Sequence, residues 1–313
     1  MDLDEIIGKV SAEMLYKHVY RLQGVRHPLT NPDALREASD YIQGDLKSSG
    51  LDAARQEFKV KGYPDTYANI IGTLQNTDTP PLLITGHHDT VWNSPGADDN
   101  ASAVAIILET ARILAQTDAP LNIQFISYDL EEGTPAFESR YIKHAQEHGL
   151  LDDNWTPTTL HARDLLKQYN ISIRQHLGER LSKGIPDIKI KMASRLTNNE
   201  LDFLDKVEKL LTETDSNHLV GGIGLKGSDY AARESKKQGT EISGIINMDT
   251  VGYTSQKPHS NTYPTGLNPS IMPSYGIDDP TIGNFLGVAV DMHSTGLLQT
   301  FCTACQHPQT QLP

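Results

Sequence analysis

Acidic and histidine side chains recur in this 313-residue chain at the points where apolar segments end. The four clusters are HHD at residues 87–89, GADDN at 96–100, EE at 131–132 and the single acid Asp249. Carboxylates gathered in one place repel one another, and one of them would then take up a proton. A divalent cation removes this cost, and mixed nitrogen and oxygen donors suit zinc better than calcium. The residue types therefore predict a metal site, provided that the fold brings the clusters together.

In two of the clusters, HHD and EE, it must be decided which side chains can face a metal. Successive residues of a strand point to opposite faces, so His87 and Asp89 should share a face while His88 points away. For the adjacent acids Glu131 and Glu132 a simpler interpretation exists, in which the strand emerges into water and both carboxylates are only hydrated. The position of the other clusters decides between metal binding and hydration.

An alternation of strands and helices predicts where the clusters lie. Strands are predicted at RQEFKVKG, YANIIGTLQ, PLLITG, LNIQFISYDL and ISGIINM, and helices at 11–23, 32–48 and NASAVAIILETARILAQ. This order indicates an α/β fold with a mixed, mainly parallel sheet flanked by helices. In open α/β sheets, ligands bind outside the carboxyl ends of the strands. All four clusters are predicted at that edge, which favours metal binding.

A polar, charged and mainly helical stretch interrupts this pattern. It predicts a helical insertion at residues 143–226, which divides the main domain into residues 1–142 and 227–313. Within it, Leu201, Leu204 and Leu211 form an apolar face that must be buried, so we expect the insertion to contact the rim of the site or a second copy of the chain.

Composition excludes several classes of protein. The net charge is −13, from 40 acidic and 27 basic residues, which argues against a nucleic-acid surface. No apolar run approaches the roughly 20 residues that span a bilayer, and the start MDLDEIIGKV does not resemble a signal peptide, so we expect a cytoplasmic protein without a membrane partner. Cys302 and Cys305 cannot form a disulfide framework and are expected to be two thiols one helical turn apart.

Three blocks of this sequence resemble the co-catalytic dizinc aminopeptidases. They are GHHDTVWNSPGADDNASAVAIILETARIL, FISYDLEEGTPAFESRYI and GTEISGIINMDTVGY. The resemblance covers roughly residues 15–142 and 227–300, and the superfamily also includes glutamate carboxypeptidases and glutaminyl cyclases. It implies two zinc ions, a peptide or small amide substrate and hydrolysis of a peptide bond, with removal of an N-terminal residue as the leading expectation. The alternatives are a carboxypeptidase or glutaminyl cyclase on the same site, and a non-catalytic relative that serves as a binding module.

The resemblance also implies a role for each site residue. The implied metal ligands are His87, Asp99, Glu132 and Asp249. Asp99 would bridge both zinc ions, with His87 and Asp249 on one of them and Glu132 on the other. Two catalytic roles are implied, for Glu131 as the general base and for Asp89, which would hold His87 in position. Asp98 would only support its loop.

The chain departs from the family pattern in one respect. The family supplies a last histidine ligand from a YHTP-like block that follows an SDH-like block, and neither block occurs before Pro313. His293 and His307 are not expected to replace that ligand. The resemblance therefore implies one complete zinc site and one that is a ligand short. We expect a shortened enzyme, a fragment, or compensation by the insertion, through which the chain could also form a homo-oligomer.

Overall fold

A computed structural model describes residues 3–60, 63, 65–92, 94–132, 135–176, 181–213, 224–261, 279 and 281–306. The described helices are α1 (Leu3–Ile7), α2 (Ala12–Leu22), α3 (Pro32–Ser48), α4 (Ala103–Leu114), α5 (Pro135–Glu147), α6 (Leu160–Gln175), α7 (Gly184–Lys191), α8 (Asn198–Glu213), α9 (Lys226–Gln238) and α10 (Thr295–Cys305). The described strands are β1 (Asp52–Phe58), β2 (Tyr67–Gln75), β3 (Leu82–His87), β4 (Asn122–Tyr128) and β5 (Gly244–Asn247). His307 lies outside the described residues.

The described strands form one mixed sheet in the order β1-β2-β4-β3-β5. Strand β2 pairs antiparallel with both β1 and β4, whereas β3 pairs parallel with β4 and with β5. Four of these five strands therefore run in the same direction. This arrangement confirms the predicted α/β class with a mixed, mainly parallel sheet.

Local sequence explains where the helices next to the sheet begin. Ser11 accepts a hydrogen bond from the backbone N–H of Met14 and so caps α2. Asn31 does the same for α3 through Ala34, and Pro32 occupies the first turn, where its missing N–H costs nothing. Both helices lie where their sequence pattern predicts them.

The main core lies between the sheet and these helices. Its largest fully buried side chains come from α3, α4 and the central strands: Ile42, Leu46, Ile70, Ile107, Leu108 and Phe125. Helix α4 is buried on most of its surface, because its apolar residues extend beyond a single face. This core supports the strands whose carboxyl ends carry the acidic clusters.

Helices α5 to α8 enclose a second apolar cluster, which includes Leu165, Ile185, Ile188 and Phe203. Of the predicted apolar face on α8, Leu204 and Leu211 are buried in this cluster, while Leu201 is 36% exposed. The domain boundaries stay a prediction, although α5 already packs here with residues on both sides of position 143. Trp155 joins the cluster to the loop after β3, since its ring lies 6.2 Å from the Trp92 ring.

The chain leaves the sheet after β4 and returns to the same place at α9. Backbone N–H groups of Leu225, Lys226 and Gly227 donate to carbonyl oxygens of the segment 129–131, over 2.9–3.0 Å. Gly227 is buried, and a Cβ atom there would collide with the side-chain oxygen of Asn69 and with the carbonyl oxygen of Asp129. Only glycine fits at this contact.

No helix among the described residues is long and apolar enough to cross a membrane.

The substitution Gly227→Ala should destabilise the protein by about 1–3 kcal/mol, because the added methyl group must displace packed backbone. The matched control is Gly44→Ala inside α3, where an added Cβ atom meets nothing within 4 Å. This substitution should stabilise the helix by roughly 1 kcal/mol, because alanine has the higher helix propensity. Urea unfolding of both variants measures the difference. Equal free energies of unfolding would contradict the close contact at Gly227.

A second matched pair tests the cluster enclosed by α5 to α8. The substitution Leu204→Ala removes a fully buried side chain and should cost about 2–5 kcal/mol. The same substitution at the exposed Leu201 should change the free energy of unfolding by no more than about 0.5 kcal/mol. Equal losses at both positions would show that α8 packs through a different face.

Candidate metal centre

The parallel strands bring the acidic clusters to one edge of the sheet. His87 ends β3 and pairs in register with Tyr128, the last residue of β4. Glu131 and Glu132 lie three and four residues beyond β4, and Asp249 lies two residues beyond β5. These side chains therefore meet at the carboxyl ends of three neighbouring strands, where the pattern of the sequence predicts them.

The ring of His87 lies at the centre of the cluster and is only 4% exposed. Its Nε2 atom lies 3.2 Å from Asp99 Oδ1, 3.8 Å from Asp249 Oδ1 and 3.8 Å from Glu131 Oε2. Two groups of three side chains each hold their ligand atoms within 4.8 Å of one another: His87 with Asp99 and Asp249, and His87 with Glu131 and Glu132. The structure thus brings all four predicted ligands together and places Glu131 beside them.

Asp89 connects the two strand ends that carry the histidine and the paired acids. Its Oδ1 atom lies 3.3 Å from Nδ1 of His87, a buried nitrogen with no hydrogen-bond partner among the described residues. Its two oxygens also accept hydrogen bonds from the backbone N–H groups of Glu131 and Glu132, at 3.0 and 2.9 Å. Asp89 thereby sets the path of the loop after β4 as well as facing the histidine ring.

Asp99 lies in a tight π-helical turn, Ala97–Ser102, and its peptide bond to Asn100 is cis. Asn100 is buried and donates a hydrogen bond to the carbonyl oxygen of Met248, next to Asp249, over 3.0 Å. Asp98 accepts a hydrogen bond from the N–H of Gly252 over 2.7 Å. The turn is therefore joined to the segment after β5, and Asp98 binds backbone at that join.

Electrostatics in the cluster reflect crowded negative charge. Burial, reinforced by the charge of Asp99, raises the pKa of Glu132 to about 9, and burial also raises the pKa of Glu131. Burial alone would lower the pKa of His87, but the surrounding carboxylates, led by Asp249, outweigh it and raise that pKa. Protons thus occupy this cluster at neutral pH when no cation is bound.

The donor set fits zinc on these observations. One imidazole nitrogen and several carboxylate oxygens converge within ligand distance of one another, and such mixed donors suit zinc. A bound dication would replace the protons that crowding otherwise forces onto the acids. The chemistry such a site can perform is the activation of water and the polarisation of a carbonyl group.

His88 points away from the cluster, as the strand period predicts. It is fully buried, and its ring nitrogens lie 3.0 Å from the hydroxyl oxygens of Ser39 and Ser127. Burial lowers the pKa of His88 to about 3, so the ring is neutral at physiological pH. His88 belongs to the packing behind the site rather than to the metal cluster.

Two buried polar residues near the site escape the sequence patterns. Asn69 donates to the carbonyl oxygen of Gly227 over 2.8 Å and accepts from the N–H of Asp129 over 3.1 Å. Its only signal is a polar residue inside the apolar strand YANIIGTLQ. Arg26, 2% exposed, binds backbone around the cluster and has no comparable signal in the sequence.

Three further residues singled out in the sequence lie outside the cluster. His293 is exposed in the turn before α10 and belongs to neither group of ligand atoms. Cys302 and Cys305 are free thiols in the last two turns of α10.

Comparison with known proteins gives a family match in the same region. Residues 69–154 match the model of peptidase family M28. These residues include most of β2, all of β3 and β4, and every predicted site residue except Asp249. The match thus covers the two strand ends and the turn that build most of the cluster.

Similar sequences include named aminopeptidases. Aminopeptidase YwaD of Bacillus subtilis is 36% identical over 116 residues, which are 35% of this chain and 26% of that protein. Leucine aminopeptidase 1 of Pyrenophora teres f. teres is 28% identical over 239 residues, 72% of this chain and 57% of that protein. Protein YfbL of Escherichia coli is 36% identical over 139 residues, 41% of this chain and 42% of that protein. The chain thus spans between a quarter and three fifths of the length of these relatives.

Similar solved structures come from the same range of proteins. A glutaminyl cyclase of Porphyromonas gingivalis is 28% identical, with a TM-score of 0.36 over 45% of this chain and 54% of that chain. A leucine aminopeptidase precursor of Bacteroides thetaiotaomicron is 27% identical, with a TM-score of 0.35 over 41% of this chain and 50% of that chain. The family match, together with the aminopeptidases among the relatives, shows a peptidase family M28 domain at residues 69–154 of this chain.

Proposed function

We propose that this chain is a zinc-dependent peptidase that removes N-terminal residues from peptides. The observation that carries the proposal is the position of His87, whose buried ring faces two groups of carboxylates at the carboxyl edge of the sheet. The aminopeptidases among its relatives support the choice of reaction. A peptide or a small amide is the substrate class that follows.

His87, Asp99 and Asp249 would hold one zinc ion, and Glu132 together with Asp99 would hold a second. Asp99 suits the shared position, because it faces His87 at 3.2 Å and its charge also raises the pKa of Glu132. Bound zinc would supply a Lewis acid that lowers the pKa of water and polarises the scissile carbonyl. The protein's part is to hold the ligands and to move the proton.

Glu131 is the residue proposed to move that proton. Its side chain is 29% exposed, so water and substrate can reach it, and its pKa is raised by burial toward the range where a general base works well. Its backbone N–H is bound by Asp89, which fixes the start of the side chain. In this role Glu131 accepts the proton of the attacking water and then passes it to the leaving amine.

The activity test compares two neighbouring variants with the parent protein. With leucyl and alanyl p-nitroanilides as substrates, Glu131→Gln should lower kcat by roughly 10²–10⁴-fold with little change in KM, because the shape stays and the proton acceptor is lost. Its zinc content should stay close to that of the parent. Glu132→Gln should instead bind zinc more weakly and recover part of its activity in excess zinc.

Excess zinc separates the two roles, because added metal cannot replace a missing base. If added zinc restores the activity of Glu131→Gln, or if both variants lose zinc equally, both glutamates are metal ligands. The proposed role of Glu131 as the base would then be wrong. If the zinc-loaded parent hydrolyses neither p-nitroanilide, the proposed aminopeptidase activity is wrong. Peptides with N-terminal glutamine and peptides with a free C-terminal glutamate, run in parallel, test the cyclase and carboxypeptidase alternatives.

Zinc binding should release protons and strengthen as the pH rises from 6 toward 9. The direction follows because Glu132, with a pKa of about 9 in the metal-free protein, is protonated at pH 7 and must lose its proton to bind metal. Calorimetric titration at pH 7 in two buffers of different ionisation enthalpy measures the protons released. Glu132→Gln should release fewer protons than the parent, and identical heats in both buffers would contradict the prediction.

A further inference from the structure

Arg26 lies in the connection between α2 and α3, with its side chain almost completely buried at 2% exposure. Burial lowers the pKa of Arg26 to about 10, so the guanidinium still carries its charge at neutral pH. The nearby charges of Asp89 and Asp99 oppose that shift and favour the cation. A buried cation therefore lies close to the acidic cluster without belonging to it.

The guanidinium donates to backbone carbonyl oxygens of three separate segments. Nε donates to His88 over 2.7 Å, at the exit of β3. The terminal nitrogens donate to residues at the end of α2 and to the loop before the Asp99 turn: Leu22, Gly24 (2.9 Å), Pro95 (3.3 Å) and Gly96 (3.1 Å). The backbone of Arg26 adds two further bonds to Thr90, of 2.9 and 3.1 Å.

The contact with Gly96 reaches the turn that carries Asp99. The carbonyl oxygen of Gly96 accepts a hydrogen bond from Arg26 and another from the N–H of Ala101, over 3.1 Å, which closes the turn. Gly96 has φ +58, and a Cβ atom there would collide with Thr90 and with the guanidinium. The close approach of Arg26 thus requires glycine at the start of the turn.

We infer that Arg26 is a positioning residue that sets the separation between His87 and Asp99, the two ligands of the zinc site proposed above. The carbonyl of His88, next to His87, and the carbonyl of Gly96, three residues before Asp99, are held by one planar group. The 3.2 Å between His87 Nε2 and Asp99 Oδ1 depends on that shared connection. The inference rests on the proposed zinc site and not on the reaction that it catalyses.

The geometry requires a guanidinium rather than a positive charge alone. Arginine offers five N–H donors in a fixed planar fork, whereas lysine offers three donors at a single point. Lysine at position 26 could reach one or two of the carbonyl oxygens but not the strand exit and the turn together. Methionine would leave all of these carbonyl oxygens without the donor.

The test is a zinc titration of the full chain against a chromophoric chelator, with Arg26→Lys and Arg26→Met. Residues that orient metal ligands typically change metal affinity by about 10–100-fold, so Arg26→Met should lose about that much. Arg26→Lys should lose less than Arg26→Met, because it retains part of the connection. Circular dichroism confirms that each titrated variant is folded.

Arg112 provides the matched control. Its guanidinium binds Glu109 on the same helix and joins α4 to the carbonyl oxygen of the distant Lys9, at the far end of α4 from the cluster. Arg112→Met should lower thermal stability while zinc affinity changes by no more than about twofold. Equal zinc affinity in the parent and in folded Arg26→Met, or equal losses in the Arg26 and Arg112 variants, would overturn the inference.

Three further outcomes are decisive. If neither Arg26 variant folds, Arg26 is required for the fold as a whole, and the narrower positioning role is wrong. If the parent binds zinc but hydrolyses no peptide, the proposed function fails while the zinc titration still tests Arg26. If the parent binds no zinc, both proposals fail together, and the calorimetric titration described above would detect that absence of binding.

Discussion

The buried ring of His87 among carboxylates is the interaction on which the rest of the site depends. One imidazole at the end of β3 meets acids from the turn at 97–102, from the loop after β4 and from the segment after β5. Without a cation these acids repel one another, and the charge of Asp99 adds to burial in raising the pKa of Glu132. The fold must therefore hold them together against that repulsion, and the hydrogen bonds around the cluster do so.

Backbone groups carry most of this restraint. Asp89 binds two consecutive N–H groups of the loop after β4, and Arg26 binds carbonyl oxygens at the exit of β3 and at the residue that precedes the Asp99 turn. Gly227 and Asn69 hold the same β4 loop from the opposite side. Because each contact fixes main chain rather than a ligand's own side chain, the ligand atoms stay free to bind while their attachment points cannot separate.

The sequence predicts well which strands end at the site, but it predicts poorly the hydrogen bonds that join the loops after those strands. Apolar runs ending in His87, Glu131 and Asp249 identify three neighbouring strands, since a parallel sheet must bring those ends to one edge. The contacts of Arg26 with residues 88 and 96, and of Gly227 with residue 129, follow no periodicity, because hydrogen bonds to main chain place no demand on the partner's type. The residue types also do not say which carboxylate binds which ion. The roles given to the single ligands therefore come from the family resemblance.

The two adjacent glutamates show why proximity in sequence does not make residues equivalent. Both backbone N–H groups bind Asp89, so the chain at that point is fixed. Glu131 approaches the His87 ring at 3.8 Å, while the pKa of Glu132 responds most, after burial, to Asp99. The three carbonyl oxygens at 129–131 also receive the returning chain at Leu225, Lys226 and Gly227. The loop that carries the two acids is therefore bound both by Asp89 and by residues 225–227 of the returning chain.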